Sequence, residues 1–306
     1  DTATQTQDYI FTFKMKSQIE MENLNEVFNK EEVEIKVKYY GDLKIKTLII
    51  DKWRKNTKNI LSQNYLKSNS NFYEFDFISK KEGNALFFVG DSININKKVI
   101  IPSGYVVKAK PGTTLNLTDS SFIISKSPFL FKGLKDNPIK VISSDQTAKG
   151  LFLYQTDSES YFSNTTFRNL SNFAYAGWEL PGAITFYEAN VFFNFCNFKS
   201  NLAGDDYVNI IRSDFKLINC KFIKSLFDGF DSDFSNGFIK NTSFLSCGND
   251  GIDLSGSIVS LENVTLVDIG DKSISVGEKS YCKISNINIK DSIISISSKD
   301  SSQVFL

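Results

Sequence analysis

Histidine is absent from this 306-residue chain. That excludes histidine triads, histidine acid–base chemistry and histidine-ligated metals. Any catalysis falls to carboxylates, Lys, Arg, Tyr or a hard metal held by oxygen. An excess of one charge is also missing, since 35 basic residues balance 35 acidic ones. The electrostatic footprint of a nucleic-acid binder is therefore not there. No apolar run approaches the length of a membrane span. The four cysteines, Cys196, Cys220, Cys247 and Cys282, form neither a CxxC pair nor a zinc-like spacing. The chain opens on DTATQTQ, without a starting methionine or a signal peptide, and reads as a trimmed mature end or an artificial boundary. Proline is scarce, at five.

Aromatics are plentiful, with 28 Phe and 12 Tyr, which argues against disorder. Ile, Ser and Asn recur throughout, the composition of many short strands joined by polar turns. The length allows a large core in one or two domains. Five glycosylation sequons begin at Asn116, Asn164, Asn169, Asn241 and Asn263, and would carry little weight if the source were bacterial.

Residues 1–90 show no repeat and read as a small α+β region. A strand is expected over 9–21, a short helix over 21–28 and a second helix over 51–66. Residues 33–50 alternate apolar and polar positions, as in a hairpin turned at Gly41–Asp42. Strand returns between Phe72 and Val89. From 91 to 306 one phrase repeats: SNTTF, NFCNF, INCKF, KNTSF, ENVTL and SNINI end at Phe167, Phe198, Phe222, Phe244, Leu266 and Ile289. After the first gap the steps are 24, 22, 22 and 23 residues. A period of this size, without helical patterning, predicts an all-β parallel β-helix in which stacking of turns makes the core.

Within the phrase, Asn164, Asn219, Asn241, Asn263 and Asn286 form a column, broken at Phe195. Stacked asparagines at a turn hydrogen-bond along the solenoid axis and tolerate unusual backbone angles. Cys196 and Cys220 occupy the next position and read as small core hydrophobes, with a disulfide between turns as the alternative.

A second set of strands follows each phrase: 182–188, 206–213, 228–235, 250–257 and 272–279. One column reads Gly182, Asp206, Asp228, Asp250, Lys272, and the column three later reads Thr185, Asn209, Asp231, Asp253, Ser275. Two further on stand Tyr187, Ile211, Asp233, Ser255 and Gly277. Alternation places Val208, Ile210, Phe230, Ile252 and Leu254 inside, and the Thr185–Ser275 column outside. Asp231 and Asp253 then stand about 4.8 Å apart, with Asp233 nearby on the same strand. Like charges this close raise one another's pKa unless a cation neutralises them. Such a costly arrangement points to a site. Asp206, Asp228 and Asp250 have a second reading as turn caps, and Lys272 as a salt-bridge partner of Asp250.

These phrases resemble the right-handed parallel β-helix superfamily, pectate-lyase-like and polygalacturonase-like. WELPGAITFYEANV, FDGFDSDFSNGFIKNTSF and GNDGIDLSGS are similar to the repeat region of bacterial surface or exported proteins, some with a spore-coat H-type kinase-like domain upstream. The resemblance covers about residues 95–300 and implies a right-handed single-stranded parallel β-helix. It also implies an extracellular or cell-surface location in a bacterium, an upstream domain in the parent protein, and action on a polysaccharide in a groove. Asp231-Ser232-Asp233 resembles the N-x-D phrase of polygalacturonase-like hydrolases with Asp for Asn, and Asp253 follows on the next turn. Their glycine–histidine and Arg-x-Lys phrases are missing. Pectate-lyase-like enzymes use calcium-binding aspartates and an Arg or Lys base, which Asp206, Asp231, Asp233 and Asp253 with Arg212 or Lys272 would match.

Two functions are expected. The first is a carbohydrate-active enzyme, either a glycoside hydrolase or a uronate lyase or epimerase. Its chemical residues would be Asp231, Asp233, Asp253, Lys272 and Arg212. Trp178, Glu179, Tyr187, Asn209, Ser255 and Glu278 would contact substrate, and Asp206, Asp228 and Asp250 would hold Ca²⁺. The alternative is a noncatalytic cell-surface module that binds calcium, glycan or a protein partner. The insertion 170–182 is the expected wall of a groove.

Overall fold

In the computed structural model the described residues are 70–81, 83–175 and 178–306, with two strands nearer the N-terminus. The chain divides into two compact units, Asp1–Lys67 and Ser68–Leu306. In the first, Val33–Val37 pairs antiparallel with Lys46–Ile50, Val33 opposite Ile50, as the alternating pattern requires. The strand expected over 9–21 and the helices over 21–28 and 51–66 lie outside the described residues.

The second unit is a parallel β-helix of about ten turns. Each turn contributes one strand to each of three ladders. Sheet 1 begins Ala85–Phe88, Val106–Ala109, Phe129–Lys132 and Ser160–Ser163, all in parallel register. Sheet 2 begins Ser92–Ile95, Thr114–Leu117, Ile139–Ile142 and Thr165–Arg168. Sheet 3 begins Val99–Ile101, Ile123–Ser125 and Leu151–Tyr154, and continues through Gly182–Tyr187, Asp206–Ile211, Asp228–Asp233 and Ile252–Ser255. The last long strands, Ile258–Gly277 and Tyr281–Ser298, run through all three sheets. The strand Ala85–Phe88 already belongs to the solenoid, so the β-helix starts ahead of the boundary read at residue 90. The antiparallel strand Ile78–Lys80 lies against it, and Phe72, Phe75 and Phe77 pack onto the core there. A single turn of 3₁₀-helix, Phe72–Glu74, is the only helix among the described residues.

The terminal residues of the repeated phrase face inward on sheet 2 and stack ring on ring. Phe167–Phe198, Phe198–Phe222 and Phe222–Phe244 lie 5.2, 4.4 and 4.6 Å apart between centroids, at 5°, 15° and 12°. Equal steps in sequence put equal side chains over one another, and each new turn buries a ring that no single turn could cover. The asparagine column behaves as expected: Asn164, Asn219, Asn241, Asn263 and Asn286 all have φ between 44° and 55°. Asn263 Nδ2 donates to Asn241 Oδ1 at 3.0 Å, and Asn241 Nδ2 to Asn219 Oδ1 at 3.2 Å. Phe195, which interrupts the column, keeps the same backbone at φ 54°. A second ladder lies at the turn after sheet 3. The backbone N–H groups of Ser213, Ser235 and Ser257 donate to Ser235, Ser257 and Ser280 Oγ at 3.1, 3.0 and 2.9 Å. All four cysteines are buried thiols, so Cys196 and Cys220 pack in the core without a disulfide.

Candidate functional site

The aspartate columns lie on the outward face of sheet 3, in the register expected. Asn209 pairs with Asp231 and Ile211 with Asp233; Asp231 pairs with Asp253 and Asp233 with Ser255. Simple alternation would place residues three apart on opposite faces. A matched irregularity at the start of both strands resolves this: the register pairs Gly182 with Asp206 and Ile184 with Val208, skipping Ala183 and Tyr207 equally, with no shift between the strands. Both skipped side chains are fully buried. On the next two strands the skipped positions are Gly229 and Gly251. A Cβ there would come within 2.8 Å of the Phe244 ring and 2.5 Å of Leu266 Cδ2. The skipped residue thus turns into the core, and Asp206, Asp228 and Asp250 lie on the same outward face as Asp231 and Asp253.

Outward does not mean solvated. Asp206, Asp228 and Asp250 are only 2%, 5% and 2% exposed, and Asn209 is fully buried. Side chains stacked at about the 4.8 Å strand spacing shield one another. Burial of charge is costly unless it is paired, and the columns differ in how they meet that cost. Asp228 Oδ1 accepts from Asn249 Nδ2 at 2.7 Å and from the Asp250 backbone N–H at 2.8 Å. Asp250 Oδ1 accepts from the Lys272 backbone N–H at 2.9 Å and from Lys272 Nζ at 3.2 Å. These two are the turn caps of the structural reading. Asn209 Nδ2 bridges Asp231 Oδ2 at 2.8 Å and Asp233 Oδ2 at 3.0 Å. Four buried carboxyl and amide oxygens on this face have no hydrogen-bond donor: Asp206 Oδ2, Asn209 Oδ1, Asp231 Oδ1 and Asp253 Oδ1.

Protons are held accordingly. Burial pushes the Asp228 carboxyl up to about 7. Burial, followed by the neighbouring charges of Asp206, Asp233 and Asp253, holds Asp231 well above the usual carboxylate range. Asp206 is raised likewise by burial and by Asp228. Asp233 and Asp253 are raised by burial, eased in Asp233 by the Asn209 hydrogen bond and in Asp253 by Ser275 and then Lys299.

Several expected residues fall elsewhere. Lys272 is bound to both Asp250 and Asp271, and the Asp271 hydrogen bond raises its pKa. It is a held cation and not a free amine, so the base expected of it in a lyase has no physical support. Arg212 stands at the rim, Nη1 donating to Tyr187 Oη at 3.2 Å and lying 3.9 Å from Glu188. Glu278 is exposed beyond Asp233, and Ser255 is half-buried beside it. Glu179 accepts from Asn172 Nδ2 at 3.1 Å. The Trp178 side chain lies outside the described residues.

The insertion folds onto the same sheet. Ala174–Tyr175 pairs antiparallel with Trp178–Glu179. Phe173 and Leu180 join Phe122, Ile124, Phe152, Tyr154 and Tyr187 in a satellite cluster on the turns preceding Asp206. It therefore closes one end of the acidic face. A recess of about 520 Å³ lined by Asn71, Lys97, Asp119 and Lys149 lies apart from the aspartates.

Sequence reasoning passed over Asp205, Phe227 and Phe234. Phe227 and Phe234 immediately precede and follow the strand Asp228–Asp233, 47% and 61% exposed. Phe234 adopts φ 50° and lies over Gly256, where a Cβ would sit 2.5 Å from Phe234 Cδ1. Its signal was a large apolar residue in a turn column otherwise occupied by Glu188, Arg212, Gly256 and Glu278.

Comparison with protein-family models, with characterised proteins and with solved structures returned no match. The structure itself shows the coarser part of the resemblance, a parallel β-solenoid of about ten turns.

Proposed function

We propose that this is a carbohydrate-active β-helix protein that hydrolyses an extracellular, neutral polysaccharide at the acidic face of sheet 3. One observation supports the reading above others: Asp231 and Asp233 share the Asn209 amide, with Asp253 directly beside Asp231 on the next turn. Crowded carboxyls of this kind divide into a proton holder and an ionised partner. Asp231, the more deeply buried, keeps the proton and gives it to the glycosidic oxygen as the C–O bond breaks. Asp253, more open and eased by Lys299, is ionised and forms a bond to the anomeric carbon. Water then displaces Asp253 and returns a proton to Asp231. The rung spacing of about 4.8 Å lies close to the ~5–5.5 Å carboxyl separation of retaining glycosidases. Phe227 and Phe234 offer apolar faces on which sugar rings stack. An uncharged glycan suits a face this acidic, which repels a polyuronate. Secretion or display at a bacterial surface accompanies the reading by resemblance.

The test is reducing-end release from a panel of neutral glycans. Asp231→Asn and Asp253→Asn should each lower the rate about 10²–10⁴-fold, while Arg212→Ala leaves most of it. Absence of release from every glycan, or full rates in both aspartate variants, would sink the hydrolase. The second reading, a noncatalytic cell-surface binding module, draws support from the exposed Phe227 and Phe234 rings beside the aspartates. Glycan binding without turnover is its signature.

A further inference from the structure

We propose a divalent-cation site with calcium chemistry, built by Asp205, Asp206 and Asp228 where the chain enters sheet 3. It is independent of the glycan reading, because the ion is held whether or not a sugar is cleaved. One carboxylate oxygen from each of the three lies within 4.8 Å of the other two. Ca²⁺ takes oxygen ligands at about 2.3–2.6 Å, so two ligands across one ion stand up to about 4.6–5.2 Å apart. The three oxygens fall inside that span.

Proximity of acids alone would prove little. The second observation is Asp206, 98% buried by its 2% exposure, whose Oδ2 receives no hydrogen bond. A buried carboxylate oxygen without a donor is rare and costly. Asp228 commits Oδ1 to Asn249 and to the Asp250 N–H, and none of these donors occupies Oδ2. The Asp228 backbone N–H donates to the Asp205 carbonyl at 2.8 Å, which fixes the two residues against each other. Asp205 is exposed and offers the way in.

A neighbouring group, Asp228, Asp250 and Asp253, also has oxygens within 4.8 Å. There the cation is already supplied, by Lys272 on Asp250. Lys272 and the Asp205 group thus meet one requirement in two ways on successive turns. Gly182, the partner of Asp206 on the turn before, has no side chain to contribute. An all-oxygen ligand set with surplus negative charge selects a hard divalent ion over zinc or copper.

The experiment is calorimetric titration of calcium, and separately magnesium, into the chelator-treated chain, paired with thermal melts. We expect one calcium per chain and a rise in melting temperature on binding. Asp206→Asn should abolish both, and the exposed Asp205→Asn should weaken binding about tenfold or more. Asp253→Asn, which removes a nearby charge but no ligand, should weaken calcium binding less than Asp205→Asn does. Asp205→Asn, on the surface, decides the matter if Asp206→Asn fails to fold. No calcium binding at millimolar concentration, binding unchanged in Asp205→Asn, or loss in Asp253→Asn equal to that in Asp206→Asn would overturn the site.

Discussion

Two columns of this solenoid stack like side chains at the same rung spacing, with opposite energetic consequences. Inside sheet 2, Phe167, Phe198, Phe222 and Phe244 lie nearly parallel, and each ring covers its neighbour. Outside sheet 3, Asp206, Asp228 and Asp250 do the same with carboxyls, alongside Asp231 and Asp253. Repetition adds burial in the first column and repulsion in the second. The β-helix geometry amplifies whatever it stacks. A stabilising column needs no partner, whereas the acidic one requires protons, amides, Lys272 or an ion. Asp250 shows the same carboxyl with its requirement met, and Asp206 shows it unmet.

The largest effect should come from breaking the apolar column. Phe222→Ala opens a cavity between two stacked rings and should cost about 3–5 kcal/mol, read by chemical denaturation. A smaller loss would mean that the rungs collapse onto the space.

The acidic column should announce itself through pH. Asp228 titrates near 7 in the folded chain against 3.8 ordinarily, with Asp206, Asp231, Asp233 and Asp253 also raised. Between those values the folded chain holds protons that the unfolded chain has released. Stability is therefore greatest at the acid end of this window and falls as pH rises from about 4 through 7. Metal-free melts should show a lower melting temperature at pH 8 than at pH 5, with a shallower slope in Asp228→Asn. A melting temperature that climbs with pH would contradict the folded-state protonation.

Next comes the paired aspartate. Lys272→Met keeps the apolar stem but leaves Asp250 buried without its cation, and should cost about 1.5–3 kcal/mol at neutral pH. Lys272→Arg, which keeps a cation there, should lose less; an equal loss in the two variants would assign the effect to packing. The smallest effect is at the asparagine ladder. Asn241→Ala removes two ladder hydrogen bonds and forces alanine to φ 50°, costing about 1–2 kcal/mol. Asn241→Gly should recover the backbone part, and equal losses in both would place the whole cost in the hydrogen bonds.

The repeat period, and with it the register, is written in the chain alone. Steps of 22–24 residues can be satisfied only if Phe stacks on Phe, Asn on Asn and Asp on Asp. That logic reached Asp231 beside Asp253 and the asparagine ladder, because stacking is a one-dimensional property that a linear text records. Tertiary structure alone decided what was buried. The inward residue after each of Asp206, Asp228 and Asp250 is set by core space: Phe244 and Leu266, from other strands, fill it where that residue is Gly229 or Gly251. The serine ladder joins positions whose significance appears only when successive turns meet. Asp205 lies outside the repeated columns, and only the fold brings its carboxylate within reach of two others. Burial and charge pairing depend on neighbours in three dimensions, and the repeat specifies which residues are stacked but not how far water is kept from them.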